Sequence, residues 1–189
     1  MGKFKTRTIR YRRIRECKTN YQKRLKLLLS SKTRIVVRRS SKYILGQLIE
    51  YQANGDLVKV SVTSKNLIKF GWKGNFNNIP AAYLTGLLLA KKADGRDCIL
   101  DMGMQTSVKG NVIYAFTKGC IDGGLKVSCS DKIFPDENKI SGKHIADFAA
   151  SLKKDKDAFN KQFGKLIKNI DPEKIVEHFK EVKQKILEK

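Results

Sequence analysis

The spacing of apolar and polar positions changes character along the chain. From Met1 to Glu16 no apolar period is sustained. Phe4, Ile9, Tyr11 and Ile14 interleave with basic residues, which predicts an extended arm. Thr19-Asn20-Tyr21-Gln22 has the spacing of a capping box with Thr19 as N-cap, and predicts a helix to about Ser30. Tyr21, Leu25, Leu28 and Leu29 form its apolar stripe, with Lys23, Arg24 and Lys26 on the polar side.

Strand-like periods follow. Arg34 to Arg39 is short and β-branched at Ile35, Val36 and Val37. Ser40-Ser41-Lys42 reads as a turn, and Tyr43 to Tyr51 as a second strand. Asn54-Gly55 is a strong hairpin signal before a third strand from Leu57 to Val62. Ser64 to Phe70 predicts a short helix capped by Ser64, and residues 71–78 a loop. Pro80 then opens a helix through about Ala93 that ends at Asp94-Gly95. Cys98 to Met102 reads as a buried strand, Lys109 to about Gly119 as a helix stopped by Gly123-Gly124, and Leu125 to Cys129 as a last strand. A strand–helix–strand run of this kind requires a parallel crossover. The expected fold is therefore α/β with a mixed sheet of about five strands.

The last third is helical throughout. Ile145, Phe148, Ala149 and Leu152 share a face. Phe159, Phe163, Leu166 and Ile170 recur at steps of 4, 3 and 4, as do Ile175, Phe179, Val182 and Ile186. Asp171-Pro172 predicts an N-cap and first-turn pair. The two stripes are expected to face each other in a helical hairpin, or to face a partner. The predicted organisation is a basic arm at 1–18, an α/β core at 19–135 and a C-terminal helical extension at 136–189.

Charge changes this picture from a fold to a function class. The 189 residues carry 40 Lys and Arg against 18 Asp and Glu, a net charge of +22. Residues 1–42 hold 16 bases and one acid, Glu16, and nine of the ten arginines lie at or before Arg39. Guanidinium is a planar fork that clamps phosphate, whereas ammonium is a mobile point charge. An arginine-dense end on an ordinary body points to a polyanion, and the usual anionic partners are nucleic acid and acidic membrane. Apolar and aromatic residues among the bases suit RNA grooves and splayed bases.

Other classes recede. No apolar run approaches the roughly 20 residues of a spanning helix, and no secretory h-region follows the basic start. Membrane association is not expected, and the chain reads as cytoplasmic. Cys17, Cys98, Cys120 and Cys129 form no CxxC pair, and His144 and His178 are the two histidines. The cysteines are expected to be buried, reduced thiols, with no structural zinc and no other cofactor. A two-metal nuclease needs several converging carboxylates. Here Asp101 and Glu50 are the strand-end acids, and Asp101 is expected to cap the following loop. The glycines match neither a P-loop nor a dinucleotide fingerprint. No enzymatic activity is expected. A rival reading is a basic protein that binds membrane surfaces or a partner through its C-terminal helices.

Longer strings carry a resemblance. Arg12-Arg13-Ile14-Arg15-Glu16-Cys17-Lys18-Thr19-Asn20-Tyr21, Arg24-Leu25-Lys26-Leu27-Leu28 and Arg34-Ile35-Val36-Val37-Arg38-Arg39-Ser40-Ser41-Lys42 come first. Gly71-Trp72 with Asn75, Pro80-Ala81-Ala82-Tyr83-Leu84-Thr85-Gly86 and Ile99-Leu100-Asp101-Met102-Gly103 follow. Ala115 to Leu125 and Ile140 to Ala146 complete the series. In this order they resemble the 5S rRNA-binding L eighteen family of large-subunit ribosomal proteins in its archaeal and eukaryotic form, whose eukaryotic member is called L five. Ser41 departs from the Asn expected in the Arg-Ser-Asn-Lys string, and Ser128-Cys129-Ser130 is less typical.

The resemblance implies a three-layer α/β core of ribonuclease-H-like topology without the nuclease site, and the rival reading of that fold is a divergent ribonuclease-H-like enzyme. The resemblance also implies binding of 5S rRNA in the central protuberance, contacts to large-subunit rRNA, and neighbouring ribosomal proteins that include the L five-type protein of bacterial nomenclature. With the charge pattern, it nominates Lys3, Lys5, Arg7, Arg10, Tyr11, Arg12, Arg13, Arg15, Lys18, Tyr21, Lys23 and Arg24 as an RNA-tracking arm and helix. Arg38, Arg39, Ser40, Ser41, Lys42 and Tyr43 form a gripping turn. Trp72, Lys73 and Asn75 form a third group.

Overall fold

The computed structural model describes residues 9–93, 95–153, 155–167 and 169–188. The elements run α1 Arg12–Arg15, α2 Tyr21–Leu28, β1 Thr33–Arg39, β2 Ile44–Glu50, β3 Leu57–Thr63, a 3-10 helix Ser64–Phe70, α3 Ile79–Lys91 and β4 Asp97–Asp101. They continue with α4 Val112–Asp122, β5 Lys126–Val127, a 3-10 turn Asp131–Ile133, α5 Glu137–Ile140, α6 Lys143–Leu152, α7 Lys156–Ile167, a 3-10 turn Pro172–Lys174 and α8 Ile175–Leu187. The strand order is β3-β2-β1-β4-β5. β1 pairs antiparallel with β2 and parallel with β4, so the crossover predicted between β4 and β5 and the mixed five-stranded sheet are both present.

Side chains alternate across a strand, and β1 uses both faces. Ile35 and Val37 are fully buried in the main core with α3 and α4. Arg34 and Val36 point the other way, toward α2. The result is α2, then the sheet, then α3 and α4: three layers. α3 buries eleven of its thirteen residues, because the sheet, α4 and α8 all pack on it. A helix apolar all round is what such a central position requires. α3 and α4 touch backbone to backbone: a β-carbon on Gly86 would collide with the Phe116 carbonyl, and one on Gly119 with the Tyr83 carbonyl.

Several boundaries differ from expectation for identifiable reasons. Residues 12–15 of the arm are helical, and Cys17 turns the chain at φ 51°. Asn20 caps α2 in place of Thr19, its side chain accepting from Lys23 N–H at 3.0 Å. Thr19 instead accepts from Arg13 Nε at 2.8 Å. Ser64 does not cap. It is buried, and its Oγ accepts from Ile44 N–H at 3.1 Å, tying the 3-10 helix to the start of β2. α4 begins at Val112 under an Asn111 cap, and the last strand shrinks to Lys126–Val127. The helix stop expected at Asp94-Gly95 lies partly outside the described residues. Cys98 and Cys120 are buried thiols, but Cys17 is exposed and Cys129 is half-buried.

The C-terminal stripes do not face each other. Phe163 and Leu166 of α7 pack on Ala149 of α6 in a small satellite core. Ile175, Phe179, Val182 and Ile186 of α8 join the main core, with the Phe179 and Tyr83 rings 5.7 Å apart. Two equal periods had two different partners, and periodicity does not name the partner. Asp171 precedes the 3-10 turn without a side-chain capping bond.

Candidate nucleic-acid interface

α2 is docked with its basic side inward. Arg24 Nη2 reaches Asp56 Oδ2 at 2.8 Å, and Lys23 Nζ donates to the Gly103 carbonyl at 3.3 Å. The apolar stripe points out: Leu25 is 61% and Leu29 76% exposed, and among the described residues none of α2 is buried. Beneath it sits Arg34, only 3% exposed. Its Nη1 lies 3.6 Å from Asp101 Oδ2. Its Nη2 lies 2.7 Å from Asp56 Oδ2, but out of line for a hydrogen bond.

Asp101 is held from several sides. Its Oδ1 accepts from Gly103 N–H at 2.8 Å, the loop cap expected of it, and from Arg38 Nη2 at 3.1 Å. Arg38 Nη1 donates to the Val37 and Asp101 carbonyls, both at 2.8 Å. Arg38, nominated as a gripping residue, is thus also a structural tie between β1 and the end of β4. Among the described residues, no group of three His, Cys, Asp or Glu is placed to hold a metal ion, and no helix is long and apolar enough to cross a membrane.

The arm folds beside α2. The Tyr11 and Tyr21 rings are 5.6 Å apart. Arg12 Nε and Lys18 Nζ clasp Glu16 at 2.7 and 2.8 Å. Lys18 first, then Arg12, holds the Glu16 carboxyl below its usual range. Arg10, Arg12, Arg13 and Arg15 are all exposed. Lys3, Lys5 and Arg7, like Phe4, lie outside the described residues.

The gripping turn is built by Ser40, whose Oγ donates to the Tyr43 carbonyl at 2.8 Å and accepts from Tyr43 N–H at 3.0 Å. The turn lies on the 71–78 loop: Arg39 Nε donates to Asn77 Oδ1 at 2.8 Å, and Asn77 Nδ2 donates to the Ser41 carbonyl at 3.0 Å. Tyr43 meets Phe76 at 5.9 Å. Ser41, Lys42, Tyr43 and Asn75 therefore share one concave surface. Two groups nominated separately become one patch. Arg38 and Arg39 join it to the α2 side, since neighbouring strand residues face opposite ways.

Trp72 is 2% exposed. Its Nε1–H donates to the Asn75 carbonyl at 3.2 Å, and its ring stacks on His178 at 5.3 Å. Lys73 N–H donates to His178 Nε2 at 3.1 Å. Trp72 thus shapes the loop that presents Lys73 and Asn75, and offers no free ring face. Burial lowers the His178 pKa; Glu181 opposes this, while Lys73 and Lys185 add to it.

Residues 4–96, which contain all three nominated groups except Lys3, match the family model for "Ribosomal large subunit proteins 60S L5, and 50S L18". Across 181 residues the chain is 47% identical to the large ribosomal subunit protein uL18 of Methanococcus maripaludis, and 94% of each chain is covered. The chain belongs to the uL18 family of large-subunit ribosomal proteins. As a uL18-family protein it is a structural constituent of the ribosome. Its basic side is built on α1, α2 and the end of β1, all inside the matched span. Three residues that hold these surfaces together are not among the site residues nominated from sequence: Asp56, Asn77 and Arg34. Asn77 sat in an Asn-rich loop, a turn signal without a stated partner. Arg34 sat inside a strand, where its burial was not readable.

Proposed function

We propose that the protein binds 5S rRNA and anchors it in the central protuberance of the large subunit, with further contacts to large-subunit rRNA. Neighbouring ribosomal proteins, including the L five-type protein, would complete its surroundings. The observation that carries this reading is the row of exposed arginines on the arm, next to outward-facing Tyr11, Tyr21, Leu25 and Leu29. Cations neutralise phosphates and release counterions. Aromatic and apolar groups beside them pack on riboses or unstacked bases, since A-form major grooves are too narrow to read.

In this reading residues 1–18 are the RNA-binding arm, 19–135 the α/β core and 136–189 the helical extension. Arg39, Ser40, Ser41, Lys42, Tyr43, Lys73 and Asn75 form the second grip, on the patch joined by Asn77. No catalytic step belongs to it, since the strand-end acid Asp101 is engaged by Arg38 and Arg34. The protein works on cytoplasmic ribosomes.

A competition titration tests it. Labelled 5S rRNA is bound at about 0.2 M salt, where purely electrostatic binding is weak, with transfer RNA in excess. The reading expects 5S binding to survive. Equal displacement by transfer RNA would overturn selective recognition by this chain alone.

A further inference from the structure

Between α1, α2 and the sheet lies a cavity of about 190 Å³. Six of its lining side chains are lysine or arginine, and two, Asp56 and Asp101, are acids. Both acids are already engaged: Asp56 with Arg24 and Arg34, Asp101 with Arg34 and Arg38. The walls keep a surplus of four positive charges. Lys18 shares its charge with Glu16 as well.

Arg34 is the second observation. It is buried from solvent; its Nη2 meets the Asp56 carboxylate at 2.7 Å, but among the described residues its Nε finds no hydrogen-bond partner. Buried guanidinium N–H groups without acceptors are costly, and such a group marks a place where an acceptor belongs. Thr19, Asn20 and Lys23, at the start of α2, also line the cavity. A helix N-terminus carries partial positive charge and favours an anion.

We infer that this cavity is a binding site for one phosphate-type oxyanion. The volume suits a small ion with a few waters and is too small for a nucleoside. A tetrahedral oxyanion offers acceptors in several directions at once, which suits donors arriving from α1, α2 and β1. The inference rests on the RNA-binding reading for one of its two sources. A backbone phosphate of bound RNA and free inorganic phosphate present the same chemistry to these walls.

The test uses the full-length protein free of RNA, with inorganic phosphate as the probe and chloride at matched ionic strength as the control. Calorimetry is expected to show one saturable site, and phosphate to raise Tm by mass action. Exchanging Arg13→Gln and Lys18→Gln together, both at exposed positions, should weaken phosphate binding by about tenfold. Asp56→Asn should tighten it, because one negative charge leaves the wall. Opposite signs at these positions separate ligation from a general loss of structure; should Asp56→Asn fail to fold, the double variant carries the test. No saturable phosphate binding beyond chloride, or binding unchanged in the double variant, overturns the inference.

Addition of 5S rRNA to the phosphate-loaded protein then names the source. Release of phosphate assigns the site to an RNA backbone phosphate, and retention alongside bound RNA assigns it to the free ion. The site stands in both cases. If phosphate fails to bind while 5S rRNA is still selected over transfer RNA, this inference alone falls. If phosphate binds while 5S selectivity is absent, the RNA reading falls and the oxyanion site remains.

Discussion

The two faces of one sheet are covered by helices held in opposite ways. α3 and α4 sit on the inner face through apolar burial and backbone contact at Gly86 and Gly119. α2 sits on the outer face through Arg24, Lys23 and the buried Arg34, and turns Leu25 and Leu29 to solvent. The first arrangement is non-directional and is not weakened by charge screening. The second rests on charges that salt screens and that another polyanion can re-order. Rigid apolar packing and charge pairing thus lie on different sides of one sheet.

The comparison breaks first at its strong side. Gly119→Ala drives a methyl group into the Tyr83 carbonyl. It should cost about 3 kcal/mol as overpacking, lowering Tm by roughly 6–12 °C for a chain of this size. A melting curve close to that of the parent protein would show that α3 and α4 are not packed as described. On the other side, Asp101→Asn removes a carboxylate shared by Arg34, Arg38 and Gly103 N–H. Loss of these charge-assisted bonds should cost about 2 kcal/mol. It should loosen α2 more than α3, as denaturant melts combined with local exchange rates would reveal.

Replacing Arg12, Arg13 and Arg15 by Ala should leave Tm nearly unchanged, since all three are exposed. It should flatten the salt dependence of 5S binding by about 2–3 slope units. A parallel slope in the variant would remove the arm from the interface.

The smallest effect concerns His178. Its Nε2 accepts from Lys73 N–H, so the neutral ring is the form the fold uses. Its folded pKa lies below the ordinary 6.5, mainly through burial. Below about pH 6.5 the unfolded chain therefore binds the proton more readily, and stability falls as pH drops. His178→Gln should flatten that slope in melts taken between about pH 7.5 and 5.5.

The same contrast explains what was legible in the sequence. Where apolar burial decides, pattern suffices: the β1–β3 meander, the turn after Tyr51, the Pro80 helix and the parallel crossover were all readable. Where charge pairing decides, pattern misleads. The stripe of Tyr21, Leu25, Leu28 and Leu29 has a helical period, yet its partner is not the core, because Asp56 and the Gly103 carbonyl draw the basic side of α2 inward. Those groups come from the β2–β3 turn and the loop after β4, and only the fold brings them under α2. Trp72 shows the same limit from the other side. Its neighbourhood of Gly, Lys and Asn reads as a loop, and the ring that covers it belongs to His178, which lies on α8. Of the nominated site, the cationic arm and the Ser40–Tyr43 turn were visible as charge and turn chemistry. The bridge through Asn77 that unites the turn with Asn75 required tertiary contact.

Amide hydrogen exchange with and without 5S rRNA tests the central contrast most directly. In the free protein, α3 amides should exchange near the global unfolding limit and α2 amides much faster. On adding RNA, protection should rise across α1, α2 and residues 38–43, while α3 stays as it was. Protection in α2 that already equals that of α3, or that does not change when RNA binds, would contradict the account.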